Sequence, residues 1–262
     1  MKASPLLRVS LVVHAVALML VLWHPRWWPM AVTLLVANHL VLTALGLWPR
    51  SSGLGPNRTR LGTAAHAAGR IAVTIDDGPD PAVTPAVLDL LDRHGCRATF
   101  FCIGQRVAAH ANLSREIIRR GHQIENHTQH HPNSFSLLGP AGMNREITAA
   151  QQALRDVAGR APRYFRAPAG LRNPFLEPVL ARHGLELVSW TRRGFDTVTR
   201  DPTLVLARLT RGLRAGDILL LHDGHAAHTA SGVPVILEVL PALLEAIAAA
   251  GLTTVTLEAG LA

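Results

Sequence analysis

The sequence predicts an α/β fold: a deformed (β/α) barrel of about seven strands, preceded by a two-helix transmembrane hairpin. Three observations predict it. From residue 70 onward, short apolar strands alternate with helix-like segments, which implies a mostly parallel sheet with both faces covered. Asp76, His127, Arg166 and His222 each stand at the C-terminal end of a different strand, and in a barrel those ends converge on one mouth. Before residue 50 lie two apolar runs, each close to the ~20 residues that cross a hydrocarbon core. An open doubly wound sheet fits the alternation equally well; the placement of the polar residues favours the barrel.

The first apolar run covers about Leu6 to Trp23 and the second Met30 to Trp48, with only His24-Pro25-Arg26-Trp27-Trp28-Pro29 between them. Such a pair makes a tight helical hairpin. Trp23, Trp27, Trp28 and Trp48 fall at the run ends, where indoles prefer the membrane interface. A cleaved signal peptide is the rival for the first run, but no small-x-small cleavage site precedes the second. Lys2 and Arg8 lie before the hairpin, Arg26 in its loop, and Arg50, Arg58 and Arg60 just after it. This bias places both ends in the cytoplasm, with the chain multi-pass in a bacterial-type inner membrane. Residues 1–70 hold seven Lys or Arg and no acid, whereas the rest of the chain is close to neutral. The net charge of +8 therefore flanks the apolar runs. It is not the basic stripe of a nucleic-acid-binding domain, and no nucleic-acid partner is expected.

Residues 1–50 thus form a membrane anchor, residues 51–69, rich in Gly, Ser, Ala, Asn and Pro, a linker, and residues 70–262 the globular domain. Strands are expected near 70–75, 97–103, 122–127, 163–166, 185–190, 217–222 and 252–257. Helices are expected over Val83–His94, Val107–Arg120, Asn144–Val157, Pro202–Arg214 and Val235–Ala250. Gly95, Gly121, Gly184 and Gly251 supply C-terminal stops. Cys96 and Cys102 look like core fillers without metal spacing, and they do not decide the redox compartment.

The densest chemistry is Thr74-Ile75-Asp76-Asp77-Gly78-Pro79, two carboxylates at a strand end followed by a turn. Neighbours on extended chain point in different directions, so one can hold a metal while the other stays free as a base. Asp-Gly-Pro is also ordinary turn chemistry. His127 and His131 are four apart, so one helical turn would set both imidazoles on one side. With Asp77 they would form a His-His-Asp site with open positions, as catalytic zinc or related divalent ions require. With 14 histidines in the chain, chance pairs are common. His222, His225 and His228 make a comparable cluster, with His225 and His228 read as loop residues at the mouth.

Taken in order, Asp-Asp-Gly-Pro after the first strand and His-Thr-x-x-His-Pro after the third resemble the NodB-homology polysaccharide deacetylases (carbohydrate esterase family 4). The similarity covers about residues 70–257. It includes Ala98-Thr99-Phe100-Phe101, Arg166-Ala167-Pro168, Asp196 after Trp190, and Leu221-His222-Asp223. The resemblance implies that Asp77, His127 and His131 bind a divalent metal, zinc by preference, with cobalt or nickel as alternatives. It implies Asp76 as base, His222 as acid toward the departing sugar amine, and the Ala169 backbone N–H as oxyanion donor. Arg166 would pair with Asp76, and Asp196 with His222. A cation beside Asp76 keeps it ionised, and a carboxylate beside an imidazole keeps it protonated.

Ala169 stands where the family usually has an aromatic residue, and Thr197 where it often has Trp. Both changes remove bulk, so a roomier pocket is expected, or a substrate whose own lipid or sugar fills the gap. The function implied is hydrolysis of an N-acetyl or similar small acyl group, such as formyl, from a sugar in a glycan or a lipid-linked saccharide. The rival is an inactive, membrane-anchored carbohydrate-binding module. A cytoplasmic barrel would favour lipid-linked substrates and an outward one exopolysaccharide or peptidoglycan.

Overall fold

The computed structural model describes residues 4–262; Lys2 lies outside the described residues. The chain opens with α1 (Pro5–Trp23) and α2 (Trp28–Leu47), joined through a 3-10 turn at Pro25–Trp27. Ser4 caps α1 by accepting the Leu7 N–H at 3.3 Å. Both helices are long and apolar enough to cross a membrane. Their large side chains face outward all round, Leu11, Leu22 and Leu40 among them, so the pair presents an apolar surface on every side. The residues buried between and around them are small, Ser10, Ala17 and Ala31, which lets the helices approach closely. Asn38 Nδ2 donates to Ser10 Oγ at 3.0 Å across the pair.

The hairpin docks on the barrel. The Arg172 N–H donates to the Gly46 carbonyl at 3.1 Å, and the Arg172 guanidinium reaches the Ser51 carbonyl. A methyl group on Gly46 would run into the Arg172 carbonyl, a backbone atom that cannot swing aside. Gly46→Ala is therefore expected to loosen this junction at a cost of about 1–3 kcal/mol. Limited proteolysis of the full chain should then cut faster between residues 47 and 60 than in the wild type.

Residues 51–69, a linker by composition, pack on the barrel: Ser51, Leu54, Leu61 and Ala65 are buried. The Arg58 N–H donates to the Leu187 carbonyl and the Leu61 N–H to the Gly216 carbonyl, each at 2.9 Å. Small and turn-forming residues here allow close backbone approach, which composition cannot distinguish from flexibility. The segment includes a short helix, α3 (Thr63–Ala67).

The barrel proper runs β1 (Arg70–Asp76), α4 (Thr84–Arg93), β2 (Ala98–Cys102), α5 (Gly104–Ala109), α6 (Ala111–Arg119) and β3 (Gln123–Asn126). It continues through α7 (Pro140–Ala158), β4 (Tyr164–Phe165), α8 (Leu176–Arg182), β5 (Glu186–Leu187) and β6 (Arg192–Arg193). Last come α9 (Pro202–Thr210), β7 (Ile218–His222), α10 (Val235–Ala249), β8 (Thr253–Thr254) and α11 (Leu257–Leu261). The strands are parallel in the order β5-β4-β3-β2-β1-β7-β6, with β8 pairing the start of β1. The deformed barrel expected from the sequence is thus present, and the four glycine stops all adopt positive φ. Three strand details differ, the first being that the strand expected near 185–190 is cut to Glu186–Leu187. The strand expected near 252–257 is cut to two residues because Thr256 already caps α11. The short β6 was not expected, since Arg192-Arg193 carries no apolar strand signal.

The sheet does not close on itself by strand pairing alone. Arg58 bridges to Val188 beyond β5, and Arg60 bridges to Asp217 before β7. The segment after the hairpin therefore spans the seam between the two sides of the sheet.

Alternation sorts the side chains. Ile71, Val73 and Ile75 of β1 face the helices with Leu219 and Leu221 of β7, in a core with Val87, Leu91, Leu240 and Leu244. Ala72 and Ile218 instead face the barrel interior with Phe101, Tyr164 and Val188. By the same period of two, Thr74 and Asp76 point inward, as does His222. In the β1–β7 register Asp76 lies directly beside His222.

Candidate active site

A cleft of about 350 Å³ opens at the C-terminal end of the strands. Asp76, Asp77, His127, His131, Ala169 and His222 all line it. Asp76 is buried, and Arg166 Nη1 donates to its Oδ1 at 2.6 Å. Arg166 is itself 1 % exposed. It donates further to Thr74 Oγ1, the Val188 carbonyl and the Ser189 carbonyl, and its guanidinium lies 4.0 Å above the Phe101 ring. A guanidinium so held fixes the orientation of the neighbouring carboxylate through a charge-assisted hydrogen bond.

Asp77 follows immediately, yet faces the same cleft. Its backbone is left-handed, with φ 76°, so the opposite facing expected of neighbours on extended chain does not hold. A Cβ on the next residue, Gly78, would meet the Asp223 carboxylate, so glycine permits that close approach. Asp77 Oδ1 lies 3.2 Å from His127 Nε2 and 3.3 Å from His131 Nε2. It is buried without a hydrogen-bond partner. One ligand atom from each of Asp77, His127 and His131 lies within 4.8 Å of the others. His127 Nδ1–H donates to the Arg166 carbonyl at 2.8 Å, which fixes the ring and turns Nε2 toward Asp77, the atom that would meet a cation there. An orphaned carboxylate oxygen between two imidazole nitrogens fits a divalent cation. Burial opposes the charge on Asp77, but the His127 and His225 imidazoles outweigh it and hold the carboxyl well below its usual range. Burial pushes His131 down to about 4, keeping it neutral.

No helical turn joins His127 to His131. The Asn126 side chain accepts the Thr128 N–H at 2.9 Å and the Thr128 hydroxyl accepts the His131 N–H at 3.0 Å. Thr128 and His131 are left-handed. This folded turn brings the two rings to 4.8 Å.

On the other side of the cleft, His222 Nδ1–H donates to Asp196 Oδ1 at 2.9 Å, and the His222 backbone N–H donates to Oδ2 at 2.7 Å. Burial opposes protonation of His222, but Asp196, helped by Asp76 and Asp77, raises it to about 9. Its folded value lies above the ~6.5 of an unperturbed imidazole. The associated stabilisation is therefore complete below that pH and is lost as pH rises through about 9. We expect the alkaline limb of the activity profile near pH 9. In Asp196→Asn the limb should retreat toward ~6.5. A limb that stays in place in the variant would show that His222 is not the titrating acid.

Six non-glycine residues have left-handed backbones among the described residues: Asp77, Thr128, His131, Ala169, Phe195 and His225. Four of them line the cleft, consistent with strain of roughly 1–3 kcal/mol each being held at a functional site. Sequence reasoning left His225 at the mouth without a role. Its Nδ1–H donates to Asp77 Oδ2 at 3.1 Å, so it orients the carboxylate from outside. The signal was only its place three residues after His222. Ala169 and Thr197 both face the cleft, with Trp190 as the aromatic wall.

This strand-end cleft, with paired carboxylates, two imidazoles and a buried Asp–His pair, is that of a hydrolytic enzyme. The polysaccharide deacetylase family profile matches residues 64–188. A chitooligosaccharide deacetylase of Bradyrhizobium is 37% identical over 156 residues, which cover 59% of this chain and 71% of that protein. A peptidoglycan-N-acetylglucosamine deacetylase of Listeria monocytogenes is 35% identical over 162 residues, 62% of this chain and 34% of the other. Among solved structures, a family 4 carbohydrate esterase from Streptomyces lividans in complex with acetate superposes with a TM-score of 0.65 at 31% identity, covering 73% of this chain and 95% of that one. The chain belongs to the polysaccharide deacetylase family and is an enzyme of that family. Asp196 and His222 lie beyond the matched profile; their pairing comes from the structure.

Proposed function

We propose that the chain is a metal-dependent hydrolase that removes an N-acetyl group, or a similarly small acyl group such as formyl, from an amino sugar. The observation that carries this is the register pairing of Asp76 with His222, which sets a base and an acid side by side with the Asp77, His127 and His131 ligand set. A divalent cation held there, zinc by preference with cobalt or nickel as alternatives, supplies Lewis acidity toward water and an acyl oxygen. Asp76, oriented by Arg166, takes the proton of the attacking water. The Ala169 N–H is offered to the oxygen that becomes negative. His222, kept protonated by Asp196, gives its proton to the sugar nitrogen as the C–N bond breaks. The products are a free carboxylate and an amine.

The relatives' names point to N-acetylglucosamine in a glycan as the sugar class, and the apolar hairpin beside the domain allows a lipid-linked saccharide as the alternative. Residues 1–50 serve as a membrane anchor and 70–262 as the catalytic domain. Lys2 and Arg8 before the hairpin and Arg50, Arg58 and Arg60 after it, against Arg26 alone in its loop, support a cytoplasmic catalytic face at a bacterial-type inner membrane. A binding module without turnover is disfavoured, because every group needed for hydrolysis is present and oriented. The test is acetate or formate release from N-acylated glucosamine oligomers and lipid-linked N-acylglucosamine by the purified full chain. Release should be abolished by chelation and restored by zinc, cobalt or nickel. No release from any of these substrates under any metal would overturn the proposal. A reporter fused to the C-terminus, active on one side of the membrane only, checks the orientation.

A further inference from the structure

A second pocket adjoins the catalytic cleft and shares Trp190 and Arg193 with it. Trp48, Arg50, Arg192, Phe195 and Arg208 complete its chemistry, and no carboxylate lines it. Arg192 pairs with Asp217 at 2.6 Å, a carboxylate it shares with Arg60. The other three arginines make no ion pair among the described residues. Arg50 donates only to the Thr191 carbonyl, and Arg208 only to the Gly194 carbonyl and the Thr199 hydroxyl. Arg193 stands 5.4 Å from the Trp190 ring and 5.0 Å from the Phe195 ring, and its Nε is buried without a partner. Arg208 approaches the same Phe195 ring at 5.5 Å.

Two guanidinium groups thus share one aromatic ring, with a third beside them and no anion to balance them. Like charges gathered this way repel, and an incoming anion with several oxygens would relieve the repulsion through forked, charge-assisted hydrogen bonds. A neutral sugar offers no such compensation. Trp48 follows directly on α2, so the pocket sits at the level where the apolar hairpin ends. That is the level of lipid headgroups if the hairpin spans a membrane.

We infer that this pocket binds the phosphate of a lipid-linked amino sugar, so that the sugar reaches the catalytic cleft while its phosphate rests among Arg50, Arg193 and Arg208. This rests on the deacylase reading of the neighbouring cleft. The small Ala169 and Thr197 leave room on the cleft walls for a sugar entering from that side.

The test uses the full chain in nanodiscs of neutral lipid. Binding of N-acetylglucosamine 1-phosphate is compared with that of methyl N-acetylglucosaminide, alongside acetate release from the neutral sugar. The phosphate-bearing sugar should bind at least about tenfold more tightly, and the preference should shrink with added salt. In Arg50→Gln/Arg208→Gln the ratio should collapse to near unity, whereas Arg208→Lys should keep part of it. N-acetylglucosamine joined through phosphate to a long-chain lipid in the same nanodisc should compete. Phosphatidylglycerol without sugar should not.

No phosphate preference in a protein that still deacetylates the neutral sugar would overturn this inference and leave the deacylase reading standing. Absence of both binding and acetate release would overturn both. Competition by phosphatidylglycerol equal to that of the lipid-linked sugar would make the pocket a general headgroup contact and overturn the substrate role. A preference that survives in the double variant would place the phosphate elsewhere.

Discussion

Asp76→Asn should lower kcat by about 10²–10⁴-fold, the range of a lost general base, and leave metal content unchanged. The amide oxygen can still accept from Arg166, whose Nη1 now lies 2.6 Å from Asp76 Oδ1, so the cleft keeps its shape. The ligand set does not include Asp76. His131→Ala should behave differently, losing metal and turnover together, because it removes one of the three proposed ligands. Metal content and kcat measured on the same preparations separate the two cases. Normal turnover in Asp76→Asn would remove Asp76 as the base.

Replacing Arg166 by Met should be the most damaging change to stability. The Arg166–Asp76 pair is almost wholly buried, with side-chain exposures of 1% and 4%. Removing the cation leaves Asp76 charged and unpaired inside the barrel, at a cost of roughly 3–5 kcal/mol. For a domain of this size that is a Tm loss on the order of 10 °C. The double change Arg166→Met/Asp76→Asn should recover much of this loss, because no uncompensated charge remains. Equal Tm values for the single and double variants would show that Arg166 stabilises through packing on Phe101 rather than through the pair.

Asp76 and Arg166 stand out in the sequence for a physical reason. The buried strands read as apolar runs, so a carboxylate, imidazole or guanidinium at a run's end is an anomaly that alternation cannot absorb. Asp76, His127, Arg166 and His222 announced themselves in that way, and parallel strands brought their ends to one mouth. The pairing of Asp196 with His222 was expected only through the family resemblance; a loop carboxylate shows no periodic signal of its own.

Where local reasoning misjudged, the cause was backbone conformation. Asp77 shares the cleft with Asp76 because its φ is positive, and His131 meets His127 through a side-chain-braced turn rather than a helix. Neither conformation has a signature in residue type, since Asp and His are not obliged to be left-handed. The surrounding contacts impose it.

The sequence by itself determined the alternating α/β architecture, the apolar hairpin and the polar strand-end residues that meet at the cleft, because each is written in local periodicity or in a polar residue at an apolar strand's end. Only the tertiary structure decided that residues 51–69 bridge the barrel's seam, that His225 braces Asp77, and that Arg50, Arg193 and Arg208 gather around Phe195. These facts depend on segments far apart in the chain meeting in space, and no local pattern records which distant partner a residue will find.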